Sequence, residues 1–442
     1  MSSRGRHPGR TFRPRLSMRG FAFVSAAAAC LVLAYALDRR ELLVLAFFLG
    51  LLPALGALLL SIGRPRFSVT RTFQPETVEA GRPVRVTVGV RNTGGTASPE
   101  AQWYDTVPPE VGRTPSAELP VLGGSLLRAV AGADDTTELG YALQPEHRGV
   151  YPIGPFVVAG QDPFGLVLRT TEVGGSDPLV VTPRITPLSE VPFGRAVADG
   201  SAAELQRHGV MGDDDLITRE YRPGDAKRRV HWRSTARFGE LMVRQEEPRS
   251  NPEAVVFLDT RPRSYPHARG IGVFDGTLQH ADDFERAIEL CASVTLHLQG
   301  GGYEVDVLQS AARTGWLVRP REAFGAPGGS EEFLAGLAAV GAPGAVDRAF
   351  ADRLSGELRR RGGGTPLFAV LGSPSAEEAE RLATLRPLAD PAVAFLVTND
   401  PEPDEESTLT GAGWTCVRVG TGDDLAAAWR RIGERTVHHE HV

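Results

Sequence analysis

The densest concentration of chemically capable side chains lies at Arg219–Glu247, which reads REYRPGDAKRRVHWRSTARFGELMVRQEE. A turn at Arg222-Pro223-Gly224-Asp225 leads into a cationic run of Lys227, Arg228, Arg229, Arg233 and Arg237 that encloses His231 and Trp232. Acids flank the run at Glu220, Asp225, Glu240, Glu246 and Glu247. Three chemistries fit these residue types. Asp225 and His231 could act as an acid/base pair with Ser234 or Thr235 as nucleophile, the pattern of a hydrolase or phosphodiesterase. The cations, Arg222 included, could grip a phosphate or lipid headgroup, because guanidinium forks bind such anions bidentately. The mixed charge could instead close on itself as a domain brace or present a surface to a protein.

The sequence favours the last of these. No G-x-S-x-G elbow surrounds Ser234, and no G-x-x-x-x-G-K phosphate loop occurs anywhere in the chain. Aromatic interleaving is confined to Tyr221, Trp232 and Phe238, too sparse for a single-strand nucleic-acid surface. The block is read as an interaction or bracing surface made of Arg219, Glu220, Tyr221, Asp225, Arg229, His231, Trp232, Arg233, Arg237 and Glu240. No catalytic residue and no cofactor is expected, and no nucleic-acid partner.

The runs REYRPGD, RRVHW and STARFGELMVRQEE, with EHRGVYPIGPFVVAGQDPFGLV at Glu146 to Val167, resemble the signatures of the domain of unknown function 58 family. That resemblance implies a bacterial protein with two membrane helices near the N-terminus and a C-terminal domain related to von Willebrand factor type A. It also implies protein partners, a MoxR-type AAA+ ATPase among them, because family members are often encoded beside such ATPases and transglutaminase-like proteins. Type A domains that bind divalent metal carry D-x-S-x-S after their first strand. Here that run is Asp259-Thr260-Arg261-Pro262-Arg263, with arginine at both serine positions. A guanidinium offers only donors and repels a cation, so Asp259 is expected to pair with a local arginine and to hold no metal.

Composition bounds the rest. At 442 residues and a net charge of −6 the chain is long enough for two or three domains and has no general affinity for polyanions. Its basic residues crowd the N-terminus, at Arg4, Arg6, Arg10, Arg13, Arg15 and Arg19. The three cysteines, Cys30, Cys291 and Cys416, match no zinc spacing, and their odd number argues against a disulfide framework; they are read as small buried hydrophobes. The tail residues His438, His439 and His441 form a short tract of metal-binding type at a chain end prone to fraying.

Two uncharged apolar stretches, residues 20–37 and 42–62, each approach the ~20 residues that cross a bilayer. The link Asp38-Arg39-Arg40-Glu41 is too short for a domain, so a helical hairpin is expected, with Pro53 inside its second arm. Arginines before the first helix and after the second, at Arg64, Arg66 and Arg71, outnumber those in the link, which places both termini in the cytoplasm by the positive-inside rule. Ala34-Tyr35-Ala36 also resembles a signal-peptide cleavage site; that alternative leaves the C-terminal bulk cytoplasmic too.

Five segments follow: a basic cytoplasmic tail (1–19), a transmembrane hairpin (20–63), a β-sandwich module (64–184), a connector holding the signature block (185–250) and an α/β domain (251–442). Alternation such as Val84-Arg85-Val86-Thr87-Val88, closed by turn residues, predicts the sandwich. Repeated β-α units from Asn251 predict a doubly wound parallel sheet. The expected function is a non-catalytic scaffold or adaptor in the cell inner membrane, multi-pass, with cytoplasmic soluble domains. A hydrolase or phosphodiesterase using Asp225 and His231, or an anion or lipid sensor, are the alternatives.

Overall fold

The computed structural model describes residues 14–62, 66–124, 134–190, 218–221, 232–244, 252–265, 273–274, 277–278, 281–310, 316–318, 329–341, 350–399 and 404–439. The chain divides into two compact units. The first holds Met1–Arg184 with Val273–Gln279 and Leu334–Val340, and the second holds the remainder.

The first unit begins with a two-residue strand β1 (Arg15–Leu16) and helices α1 (Met18–Ala36) and α2 (Arg40–Ile62). Ser17 caps α1, its Oγ accepting from Gly20 N at 3.0 Å. Both helices are long and apolar enough to cross a membrane, and most of their leucine, valine and phenylalanine side chains, such as Val32, Val44 and Phe47, are exposed. Strands β2 (Phe67–Gln74), β3 (Thr77–Glu79), β4 (Val84–Asn92), β5 (Ala101–Asp105), β6 (Ala117–Leu119), β7 (Thr136–Leu143), β8 (Gly149–Ile153), β9 (Phe156–Gln161), β10 (Val167–Val173) and β11 (Asp177–Thr182) follow. They form sheets of order β1-β10-β9-β5-β6, β3-β11-β8 and β2-β4-β7. The alternation in β4 turns Val84, Val86, Val88 and Val90 fully inward, as a half-buried strand requires. They meet Trp103, Phe156, Tyr151 and Val181 from the other two sheets in one apolar core, where Trp103 stacks on Phe156 at 5.4 Å. The stretch Tyr151–Ala159, which alternation alone presents as one strand, is two. Gly154 sits at φ 111°, and Pro155 has no N–H for a ladder.

Arg71 on β2 ties the three sheets together. Its Nε and Nη2 grip Asp105 of β5 at 2.9 and 2.7 Å, and Nη1 reaches Asp177 of β11 at 3.0 Å and the Gly175 carbonyl at 2.9 Å. Tyr141 of β7 donates to Asp105 Oδ2 at 2.8 Å. Burial disfavours the charged guanidinium, but the bonds and charges of Asp105 and Asp177 outweigh it and hold Arg71 above its ordinary pKa.

The second unit holds β12 (Thr218–Glu220), α3 (Trp232–Phe238), β13 (Met242–Arg244) and β14 (Glu253–Leu258). After β14 the first unit takes in a small ribbon, β15 (Val273–Phe274) with β16 (Thr277–Leu278). Then come α4 (Asp282–Gly300), β17 (Glu304–Gln309), β18 (Trp316–Val318), α5 (Gly329–Ala338, whose part from Leu334 belongs to the first unit), α6 (Phe350–Arg360), β19 (Leu367–Leu371), α7 (Ala376–Ala383), β20 (Ala392–Val397), α8 (Asp404–Gly411), β21 (Thr415–Val419) and α9 (Leu425–His439). The main sheet has the order β18-β17-β14-β19-β20-β21. Five strands are parallel and β18 is an antiparallel edge. Strands β19 and β20 are buried along their whole length, as in sheets covered on both faces. Along α4, Phe284, Ala287, Ile288, Cys291, Val294 and Leu298 share the buried face; enclosure pushes the Cys291 thiol up to about 12.

Residues Ile185–Glu190, the start of the sequence-derived connector, are bound into this unit. Thr186 bonds Ser293 and Glu289 of α4 at 2.9 and 2.8 Å, and the Ser189 carbonyl accepts Trp429 Nε1 at 2.8 Å. The His297 ring meets Trp429 edge-on at 5.1 Å.

Two expectations follow. Arg71→Ala leaves Asp105 charged, buried and unpaired, and should cost about 3–5 kcal/mol of stability, read as an early first transition in thermal unfolding; an unchanged melting profile would refute the tie. Burial lowers the His297 pKa from 6.5, against opposition from Glu190 and the Leu188 carbonyl. A depressed histidine contributes stability that is complete above its unfolded value and is lost as pH falls through its folded one. The melting temperature should therefore drop as the medium is acidified below pH ~6.5, and His297→Gln should flatten that slope.

Candidate functional site

In doubly wound sheets, ligands sit beyond the carboxyl ends of the strands where the order reverses. Here that point is the end of β14, between β17 and β19, and the next residues are Asp259, Thr260 and Arg261. Asp259 is fully buried, as are Thr260 and Ser310, the residue after β17. Its backbone N–H continues the ladder to Val370 O at 2.9 Å, which fixes its carboxylate over the sheet edge.

Four donors fill that carboxylate. Oδ1 accepts the Arg261 N–H at 3.0 Å, Arg261 Nε at 2.7 Å and Ser310 Oγ at 3.1 Å, and Oδ2 accepts Arg261 Nη2 at 2.6 Å. The remaining nitrogen, Arg261 Nη1, donates to Glu378 Oε1, which also pairs with Arg263. Glu378 in turn sits at the third position of α7, where its Oε2 accepts Ser375 N at 2.9 Å in a capping box. The Arg261 guanidinium lies 4.5 Å from the Phe350 ring centroid, a cation–π contact. Burial works against its charge, yet Asp259 and Glu378 together hold its pKa above the ordinary value. Tyr265 closes the floor, its hydroxyl donating to Asp259 O at 2.8 Å; enclosure and the Asp259 charge raise its pKa well above 10.0. Every side-chain nitrogen of Arg261 is thus engaged, and both Asp259 carboxylate oxygens are taken by protein donors.

The signature block forms a second local structure. Strands β12 and β13 pair antiparallel, Thr218 with Arg244, Arg219 with Val243 and Glu220 with Met242. The Tyr221 N–H extends the pairing to Leu241 O at 2.8 Å. Helix α3 ends at Gly239, whose φ of 78° suits a glycine closing a helix, and Thr235 Oγ1 accepts Met242 N at 3.1 Å. Thr235 thus fastens the helix to the returning strand. Trp232 is 71% exposed, and Phe238, Leu241, Arg237 and Glu240 are exposed as well. The Arg237 guanidinium carbon is 5.9 Å from the Phe238 ring centroid.

Of the sequence-derived site, Arg219, Glu220 and Tyr221 lie on or beside one strand, and Trp232, Arg233 and Arg237 lie on one short helix. Glu240 lies in the turn after it. Asp225, Arg229 and His231 lie outside the described residues. In the upstream motif, Arg148 is buried and donates from Nε to Leu337 O at 3.1 Å and from Nη2 to Val340 O at 2.6 Å, capping the end of α5. Sequence reasoning missed Ser310, Glu378 and Phe350 as partners of Asp259 and Arg261. Only the Ser375-x-x-Glu378 capping box left a local trace, and it points to a helix start, not to an ion pair.

Comparison with known proteins gives one family match: residues 217–326 fit the family described as "Protein of unknown function DUF58". No curated protein matches the chain. Among solved structures, the chain is similar to the CARDB domain of a Pyrococcus furiosus protein in complex with di-metal ions, at 15% identity and a TM-score of 0.18, covering 26% of this chain and 88% of that one. It is also similar to Pseudomonas fluorescens alkylpurine DNA glycosylase AlkC bound to DNA, at 10% identity and a TM-score of 0.16, covering 32% and 38%. Both scores are too low to assign a shared fold.

Magnesium or manganese should leave the melting temperature of the full chain unchanged, because Arg261 already satisfies Asp259. A saturable metal-dependent rise that disappears in Asp259→Ala would overturn the closed-site reading. Arg261→Ala, which strands a buried carboxylate, should destabilise by about 3–5 kcal/mol.

Proposed function

We propose that the chain is a non-catalytic scaffold tethered to the cell inner membrane by the α1–α2 hairpin, with its soluble parts in the cytoplasm. The single observation that carries this reading is the occupied crevice: where a doubly wound sheet would take a ligand, Arg261 is locked between Asp259 and Glu378. The doubly wound order that turns at β14 supports a von Willebrand type A-like domain whose metal-dependent recognition has been replaced. Recognition then falls to the signature hairpin, where Trp232, Phe238 and Leu241 are exposed and Phe238 lies beside Arg237. Exposed aromatic and arginine side chains are the types that dominate protein–protein contacts. The partner proposed is a protein, a MoxR-type AAA+ ATPase, in the assembly or maturation of envelope-associated complexes. The match over residues 217–326 covers the hairpin, Asp259, Arg261 and Ser310 but not Phe350 or Glu378, which supports reading the hairpin and the Asp259–Arg261 pair together. The engagement of the Thr235 hydroxyl by Met242 disfavours its use as a nucleophile.

Two measurements test this. Trp232→Ala should melt like the wild type and weaken binding of a purified MoxR-type ATPase at least ~30-fold, the loss of one aromatic anchor; unchanged affinity would discard the hairpin as the docking face. A C-terminal alkaline phosphatase fusion should be inactive and a fluorescent-protein fusion bright; an active phosphatase would overturn the orientation.

A further inference from the structure

The Asp162-Pro163-Phe164-Gly165-Leu166 turn between β9 and β10 packs on both arms of the α1–α2 hairpin, and it does so at glycines. A Cβ on Gly20 would lie 2.0 Å from Leu166 O, and one on Gly56 would lie 3.0 Å from the Asp162 carboxyl carbon. Gly20 is sixteen residues back from Ala36, the last residue of α1, and Gly56 sixteen beyond Arg40, the first of α2. At 1.5 Å per residue both contacts fall about 24 Å from the hairpin tip. The hydrocarbon core is about 30 Å thick, so a hairpin whose tip reaches one boundary places this turn about 6 Å inside the other. Tilting the hairpin only deepens it.

Most of the turn's backbone N–H groups are bonded within the protein. Irregular backbone in a bilayer must find its hydrogen bonds within the protein. Asp162 Oδ2 accepts the Phe164 N–H at 3.0 Å and Oδ1 the Val167 N–H at 2.6 Å. The Asp162 and Gly165 N–H groups bond Val167 O and Asp162 O at 3.1 and 2.9 Å, and Pro163 has none. Ser17 takes up two carbonyls, Oγ donating to Gly165 O at 2.7 Å and N to Leu166 O at 2.8 Å. Outward, the turn shows Phe164, 52% exposed; Leu16 and Leu168, also exposed, lie on opposite faces of the paired strands β1 and β10. Arg169 donates to Leu60 O of α2, twenty residues from Arg40 and so at the boundary itself, about 30 Å from the tip. An apolar tip with a cation one level out is the arrangement that suits the headgroup boundary.

We propose that the Asp162–Leu166 turn is a membrane-inserted element: Phe164, flanked by Leu16 and Leu168, enters the bilayer at the boundary between headgroups and hydrocarbon and fixes the sandwich module against the lipid surface. This rests on reading α1–α2 as a membrane hairpin and adds to it a lipid contact made by a soluble-domain loop.

The test uses the full chain with Cys30→Ser, reconstituted in phosphatidylcholine/phosphatidylglycerol vesicles, with a nitroxide on single introduced cysteines. The sites are Phe164→Cys, Leu168→Cys as a second site should the first fail to fold, Val32→Cys on the exposed face of α1 and Tyr104→Cys on β5. Collision with oxygen, which concentrates in lipid, is compared with collision with a water-soluble nickel chelate. Val32 should read as deep lipid and Tyr104 as water, with Phe164 and Leu168 between them at a shallow lipid depth. A lipid reading at Val32 with Phe164 and Leu168 as wet as Tyr104 would overturn the insertion and leave the hairpin standing. Water at Val32 would overturn the hairpin, and the insertion with it. A label at Phe164 shielded from both reagents would mean that protein, not lipid, covers the turn, which also overturns the proposal.

Discussion

A guanidinium removed from water has to be neutralised and given a partner for its N–H groups, and each unit of this chain is organised around one such group. Arg71 reaches a strand in each of the other two sheets of the sandwich through Asp105 and Asp177. Arg261 joins the end of β14 to α7 through Asp259 and Glu378. Ion pairs of this kind contribute little net stability over an apolar replacement, because desolvation offsets the attraction. Their strength lies in geometry. A planar fork with two filled edges accepts one arrangement of its neighbours, and those neighbours come from elements far apart in sequence.

That constraint also decides what the α/β unit can do. Asp259, Thr260 and Ser310 present oxygen atoms at the crevice, the ligand type a hard cation takes. Arg261 spends all three side-chain nitrogens there and stacks on Phe350. The carboxylate oxygen that would bind an ion is already committed. Outside that network, Arg237 and Glu240 of the signature block keep their charges exposed.

Much of the architecture was legible from sequence because its signals are long. The runs of α1 and α2 are apolar over nearly their whole length, and the α4 face repeats from Phe284 to Leu298. Shorter elements escaped. Helix α8, with the sequence Asp404-Glu405-Glu406-Ser407-Thr408, is too polar to show a face; β18 is a three-residue edge. Helix α3 is hidden by the cations and β-neighbours around it. Strand boundaries failed where backbone chemistry overrode alternation, as at Gly154-Pro155. The crevice was half legible: Arg261 is two residues from Asp259, close enough to anticipate, whereas Glu378 lies 117 residues further on and only folding brings it there. Asp225, Arg229 and His231 lie outside the described residues, so the hairpin is defined by its frame of β12, α3 and β13.

A guanidinium held at the end of β14 behaves differently from a bound ion. A bound divalent ion responds to its concentration, so a domain that uses one can be emptied or filled. A guanidinium is tethered by its own backbone at an effective concentration no solute can match, and its pKa, raised further by Asp259 and Glu378, keeps it charged at any physiological pH. The crevice therefore has one state. A unit with one state at that position has a fixed shape there.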